Sequence, residues 1–87
     1  MQVLTLDRLQ EFFEKNEIKL KSSENVSDAE ADAIFNDAAN YGLGFVSFVS
    51  FGVFNAEQTA IETNYNSWDD LYDCYCNFVV GYSGNKC

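Results

Sequence analysis

The 87 residues contain no histidine and no proline, and between Ser22 and Asn85 they contain no lysine or arginine. Each absence narrows what the chain can do. Without histidine, the commonest general base and metal ligand is missing. No nucleophile–base pair and no glycine-rich phosphate loop stands in its place, so the expected protein is not an enzyme and carries no cofactor. Direct nucleic-acid binding needs clustered Lys and Arg, and here the balance is the opposite. The longest apolar-rich stretch is "GFVSFVSFGVF", 44–54, far short of the ~20 residues of a membrane span. No basic-then-apolar leader opens the chain. The expectation is a cytoplasmic protein with no membrane partner.

Cysteine is also scarce. Cys74 and Cys76 lie two apart and Cys87 is the last residue. An odd count without histidine makes a poor disulfide framework and a poor zinc site. Two residues apart on a helix point about 200° from each other, so Cys74 and Cys76 cannot bridge there. Reduced thiols are expected, with a bridge from Cys87 to Cys74 or Cys76 as the alternative. Asp28, Glu30 and Asp32 have alternate-acid spacing, but the glycine and bidentate glutamate of a calcium loop are missing. No metal site is expected.

What the chain has is aromatic bulk and one sign of charge. Eight Phe, five Tyr and one Trp can anchor a small core, each burying roughly 150–250 Å². No linker or long repeat divides the sequence, so residues 1–87 form a single domain. Its net charge of −9 is unevenly placed. In residues 1–21, Asp7, Glu11, Glu14 and Glu17 are balanced by Arg8, Lys15, Lys19 and Lys21. Beyond them stand Glu24, Asp28, Glu30, Asp32, Asp37, Glu57, Glu62, Asp69, Asp70 and Asp73, with Lys86 as the only base. Those carboxylates must be solvated or face a basic partner.

Periodicity supplies the elements. "TLDRLQEFFEKN" puts Leu6, Leu9, Phe12 and Phe13 on one face of a helix over about 5–16, with Thr5 as N-cap. "VSDAEADAIFNDAANYG" carries a Ser27–Glu30 capping box and a buried arc of Ala31, Ile34, Phe35, Ala38 and Tyr41, predicting a helix over about 27–41. "NSWDDLYDCYCNFVVGY" repeats the device with Ser67 and Asp70 for a helix over about 67–82. Its core face is Leu71, Cys74, Tyr75, Phe78 and Tyr82. Between them, β-branched and aromatic residues at 44–54 and alternation in "TAIETNY" predict a hairpin of strands at about 44–54 and 58–65. A bulge near Val49–Ser50 would reconcile the period of three in Phe45, Phe48, Phe51 and Phe54 with one buried face. The rival is a sheet covered on its second face by a partner. "EIKLKSS" adds an edge strand at about 17–22, guarded by lysines. The fold class is α+β, a small antiparallel sheet packed against three helices.

Two stripes, Asp28–Asp32–Asn36 and Asp69–Asp73–Asn77, set carboxylates about 6 Å apart along exposed helix faces, a spacing comparable with that of DNA phosphates. Beside the second stripe stand Glu62, Tyr65, Trp68, Asp70 and Tyr72. Simple solvation of the helices accounts for such runs as readily as a function does.

In "FNAEQTAIETNYNSWDDLYD", a hairpin leading into an acidic, aromatic, capped helix, the chain resembles the small acidic phage proteins that disarm bacterial defences, the anti-CRISPR and antirestriction proteins. The resemblance covers about residues 44–80 and lies in size, charge and element order. It implies a DNA-mimicking inhibitor that occupies the basic nucleic-acid channel of a Cas effector or nuclease in the host cytoplasm. Asp69, Asp70, Asp73 and Glu62 would be its partner-binding acids, with Asp28 and Asp32 as a second group. Tyr65, Trp68 and Tyr72 would be its packing anchors. The alternatives are a structural or oligomerising module that works through the Phe-rich strand, or an immunity protein for a basic nuclease toxin. Either a monomer or a homodimer fits.

Overall fold

The computed structural model describes residues 3–81. Its elements run α1 (Leu6–Lys15), β1 (Lys21–Asn25), α2 (Asp28–Ala39), α3 (Leu43–Gly52), β2 (Ala60–Asn64) and α4 (Trp68–Val79). The class is α+β, with helices at the three places where periodicity puts them. Each carries its expected cap. The side chains of Thr5, Ser27 and Ser67 accept from the backbone N–H groups of Arg8, Glu30 and Asp70, satisfying donors that a helix start leaves open. α1 ends in a Schellman turn: Glu17 N–H reaches Glu14 O and Ile18 N–H reaches Phe13 O, at 3.1 and 2.8 Å. Glu17 takes the left-handed conformation, φ 57°, that this turn demands.

The expected hairpin is overturned. Residues 44–54 are not a bulged hairpin strand; most of them form α3, so there are four helices among the described residues. The physical reason is visible in the burial pattern. Phe45, Phe48, Val49 and Gly52 are all buried, and their spacing of i, i+3, i+4 and i+7 is a helical face. Ser47 lies on the solvent side. Strand propensity loses here to tertiary burial, as it commonly does. Gly42, at φ 131° and ψ 153°, is the hinge that lets α3 start directly after α2.

The sheet is therefore β1 against β2, antiparallel, with Lys21 opposite Asn64 and Asn25 opposite Ala60. β1 lies a few residues later than the 17–22 strand expected, but Lys21 does sit on it as an edge residue. The far edge of β2 is partly occupied by the two residues that follow α3. Phe54 bridges to Ile61, and Glu62 N–H donates to Val53 O at 2.7 Å. Ile61, Thr63 and Tyr65 face inward while Glu62 and Asn64 are exposed.

α3 is the centre of the molecule, packed against α2 on one side and α4 on another, with α1 against α4. The core is aromatic. Phe45 meets the edge of Phe12 at 4.8 Å and of Tyr75 at 5.9 Å; Phe48 meets Tyr75 at 5.3 Å. Such edge-to-face pairs add about 0.5–1.5 kcal/mol each beyond their burial. The segment before α1 is clamped by α4. Leu4 N–H donates to Tyr75 Oη at 2.9 Å, and Tyr72 Oη donates to Leu4 O at 2.8 Å. Tyr82, expected on the core face of the last helix, lies outside the described residues.

Candidate functional site

Of the ten acids between Glu24 and Asp73, only Asp37 is part-buried; Glu24, Asp28, Glu30, Asp32, Glu57, Glu62, Asp69, Asp70 and Asp73 are exposed. Asp37 is held by Lys15 Nζ at 3.0 Å and by the Asn16 amide at 2.8 Å. Burial works to raise its carboxyl, but the Asn16 and Lys15 hydrogen bonds outweigh that and hold it below the usual range. Among the described residues, none of the other nine forms an ion pair with a base.

The bases of α1 are drawn away from the acidic surface. Arg8 sits over the Tyr41 ring at 4.6 Å and Lys15 at 5.1 Å. Tyr41 Oη in turn donates to Glu11 at 3.0 Å, and Arg8 lies 3.9 Å from the same carboxylate. The α1–α2 seam thus neutralises itself, and the nine unpaired acids lie on β1, α2, β2, α4 and the turn between α3 and β2.

The two stripes do not merge into one flank. Asp28, Asp32 and Asn36 are exposed along α2, and Asp69, Asp73 and Asn77 along α4, but the helices meet α3 on different sides. Asp28 and Asp32 instead share a recess with Glu57, Gln58, Ala31 and Phe35. Glu62 lines a neighbouring recess with Ser47, Ser50, Phe51, Phe54 and Asn55. Glu57, Phe35, Phe51 and Gln58 were not among the partner-binding candidates read from the sequence. A strand at 44–54 misplaced Phe51, Phe35 was read as core, and the position of Glu57 and Gln58 beside α2 depends on how the turn after α3 packs.

Of the three proposed aromatic anchors, Tyr65 is enclosed, while Trp68 and Tyr72 are half-buried. Tyr65 is 6% exposed and its hydroxyl donates to Gly52 O at 2.6 Å; burial pushes its phenol up to about 12. A side chain so enclosed cannot anchor a partner. Trp68 is half-buried, edge-on to Phe13 at 5.8 Å. Tyr72 spends its hydroxyl on Leu4, and burial, with Cys76 and Tyr75 beside it, raises its phenol above the ordinary value.

Cys76 is a half-buried free thiol, whereas Cys74 is buried and disulfide-bonded. The expectation of reduced thiols throughout therefore fails at Cys74, and the question of Cys87 lies outside the described residues. No group of three His, Cys, Asp or Glu side chains able to hold a metal comes together among the described residues. Among them no helix is long and apolar enough to cross a membrane. Comparison with protein-family models, curated proteins and solved structures finds no match to this chain.

Proposed function

We propose that this protein is a small acidic inhibitor acting in the host cytoplasm. It binds a basic, nucleic-acid-binding surface of a CRISPR-Cas or other nuclease effector and blocks it by occlusion. One observation carries the reading: nine exposed carboxylates without an ion-pair partner among the described residues, on a chain whose Arg8 and Lys15 are tied up at Tyr41. Uncompensated charge of one sign destabilises a compact state through self-repulsion and speeds encounter with the opposite sign. A basic groove relieves the repulsion and gains from release of the ions around both surfaces.

The acids act as two groups rather than as one continuous phosphate-like ladder. The aromatics beside α4 stiffen the helix that presents Asp69, Asp70 and Asp73. A Phe-rich strand as a working surface loses its basis, because Phe45, Phe48 and Phe54 are buried in the monomer core. An immunity protein against a basic nuclease toxin would use the same charge and differs only in its target.

The test is competition. A basic effector captured by this chain from its native host is offered a fluorescent DNA duplex with and without the chain. Displacement of the duplex, weakening as salt rises, is the expected result. A ternary complex of effector, duplex and chain would overturn occlusion.

A further inference from the structure

The recess at Asp28 and Asp32 and the recess at Glu62 are two ends of one furrow. Between them lies a third hollow lined by Phe35, Val46, Ser47, Ser50 and Gln58. It shares Phe35 and Gln58 with the first and Ser47 and Ser50 with the second. The furrow runs between α2, α3 and the turn at 55–59. Phe35 stacks on Phe54 at 4.8 Å and 23°, and half-buried Phe51 stacks on Phe78 at 5.3 Å and 28°, so the rings of Phe35 and Phe51 that line it are held in place from behind.

Its outer wall is preorganised. Asn55 Oδ1 accepts from the N–H groups of Thr59 and Ala60 at 2.8 and 3.1 Å. Gln58 is held at φ 60° and donates to Ser50 Oγ at 2.7 Å, joining the turn to α3. A non-glycine residue in the left-handed region costs free energy, and a turn that keeps one has its shape fixed by its surroundings. The result is a stiff wall that carries Glu57 to the same recess as Asp28 and Asp32.

We infer that this furrow is the docking site for an arginine-bearing extended segment of the basic partner, a reading that rests on the function proposed above. Charge complementarity identifies the occupant. Acids stand at both ends, no base lines any part of the furrow, and Phe35 in the middle and Phe51 at the Glu62 end offer half-buried rings. A guanidinium lies flat on a phenyl face and donates sideways to carboxylates at the same time, which a lysine ammonium does not do. Asp69, Asp70 and Asp73 serve the approach, where exposed charge governs rate more than hold.

The experiment is a backbone-amide NMR titration of the full chain with hexa-arginine and with hexa-lysine peptides at low salt. Expected are shifts concentrated at Asp28, Asp32, Phe35, Glu57, Gln58 and Glu62, with hexa-arginine the tighter ligand. Removing two exposed ion pairs in the double variant Asp32→Asn, Glu57→Gln should weaken hexa-arginine about five-fold. Ser47→Arg places a competing guanidinium at the exposed lip and should abolish the furrow shifts, while spectral dispersion shows the fold intact. Shifts centred on Asp69 and Asp73 would overturn the furrow and leave the inhibitor reading standing. Absence of binding to either peptide anywhere on the chain would overturn both.

Discussion

The hydroxyl of Tyr65 and the carbonyl of Gly52 meet at 2.6 Å, joining the residue just past β2 to the last turn of α3. Glycine is required there by space. A Cβ on Gly52 would lie 2.9 Å from both Tyr65 Oη and the Phe48 ring. Gly52→Ala is therefore expected to destabilise the fold by about 1–3 kcal/mol through overpacking. Tyr65→Phe should lose about 1–2 kcal/mol by leaving a buried carbonyl unpaired. Urea unfolding of the two variants checks both values.

The same phenol sets an alkaline limit. It is held protonated up to about 12 by burial, against 10.0 when free. Between those values the unfolded chain releases the proton and the folded chain keeps it, so the folded state loses ground as pH rises. The slope for one such group is about 1.4 kcal/mol per pH unit. Denaturant midpoints measured from pH 9 upward should fall more steeply in the parent than in Tyr65→Phe.

On the acid side the sign reverses. Asp37 is held below the ordinary carboxyl value by Asn16 and Lys15, so its contribution is complete above about pH 4 and fades as pH drops through its folded value. The pair is partly exposed, Lys15 at 49%, which keeps the contribution to about 1 kcal/mol or less. Asp37→Asn should flatten the acid limb of stability without moving the alkaline one, as thermal melts across pH 2–6 would show.

Glu17 occupies a position built for glycine. Its left-handed φ of 57° closes the Schellman turn after α1. Glu17→Gly should stabilise the protein by about 0.5–1 kcal/mol, since the side chain there is exposed and contributes strain. A rise in melting temperature with unchanged circular dichroism is the expected outcome.

How far the sequence spoke depends on the local signal. Ser27, Ser67 and Thr5 mark their helices because capping is a matter of one side chain and a few neighbouring amides. Ile61, Thr63 and Tyr65 declare β2 by alternation. Residues 44–54 misled because Phe and Val favour strands when nothing else is known, and the helical face of Phe45, Phe48, Val49 and Gly52 is set by where α2 and α4 press. Of the candidate site, the exposed acids were legible one by one. That Asp32 shares a recess with Glu57, or that Tyr65 is enclosed, depends on packing between distant segments, which no local pattern records.

Thiol accessibility bears on the compartment. In the folded protein Cys76 should react with an alkylating reagent while Cys74, bonded and buried, resists until the chain is both unfolded and reduced. Disulfides are rare in the cytosol. Protein alkylated at the moment of lysis should show a bonded Cys74 by mass spectrometry; a free Cys74 would contradict the bond and agree with the proposed cytoplasmic site of action.

The most direct measurement is the affinity of the chain for its captured effector as a function of salt, made beside DNA competition. Occlusion by carboxylates predicts a dissociation constant that climbs steeply with ionic strength and a duplex that competes for the same surface. An affinity indifferent to salt, with duplex and chain bound together, would contradict it.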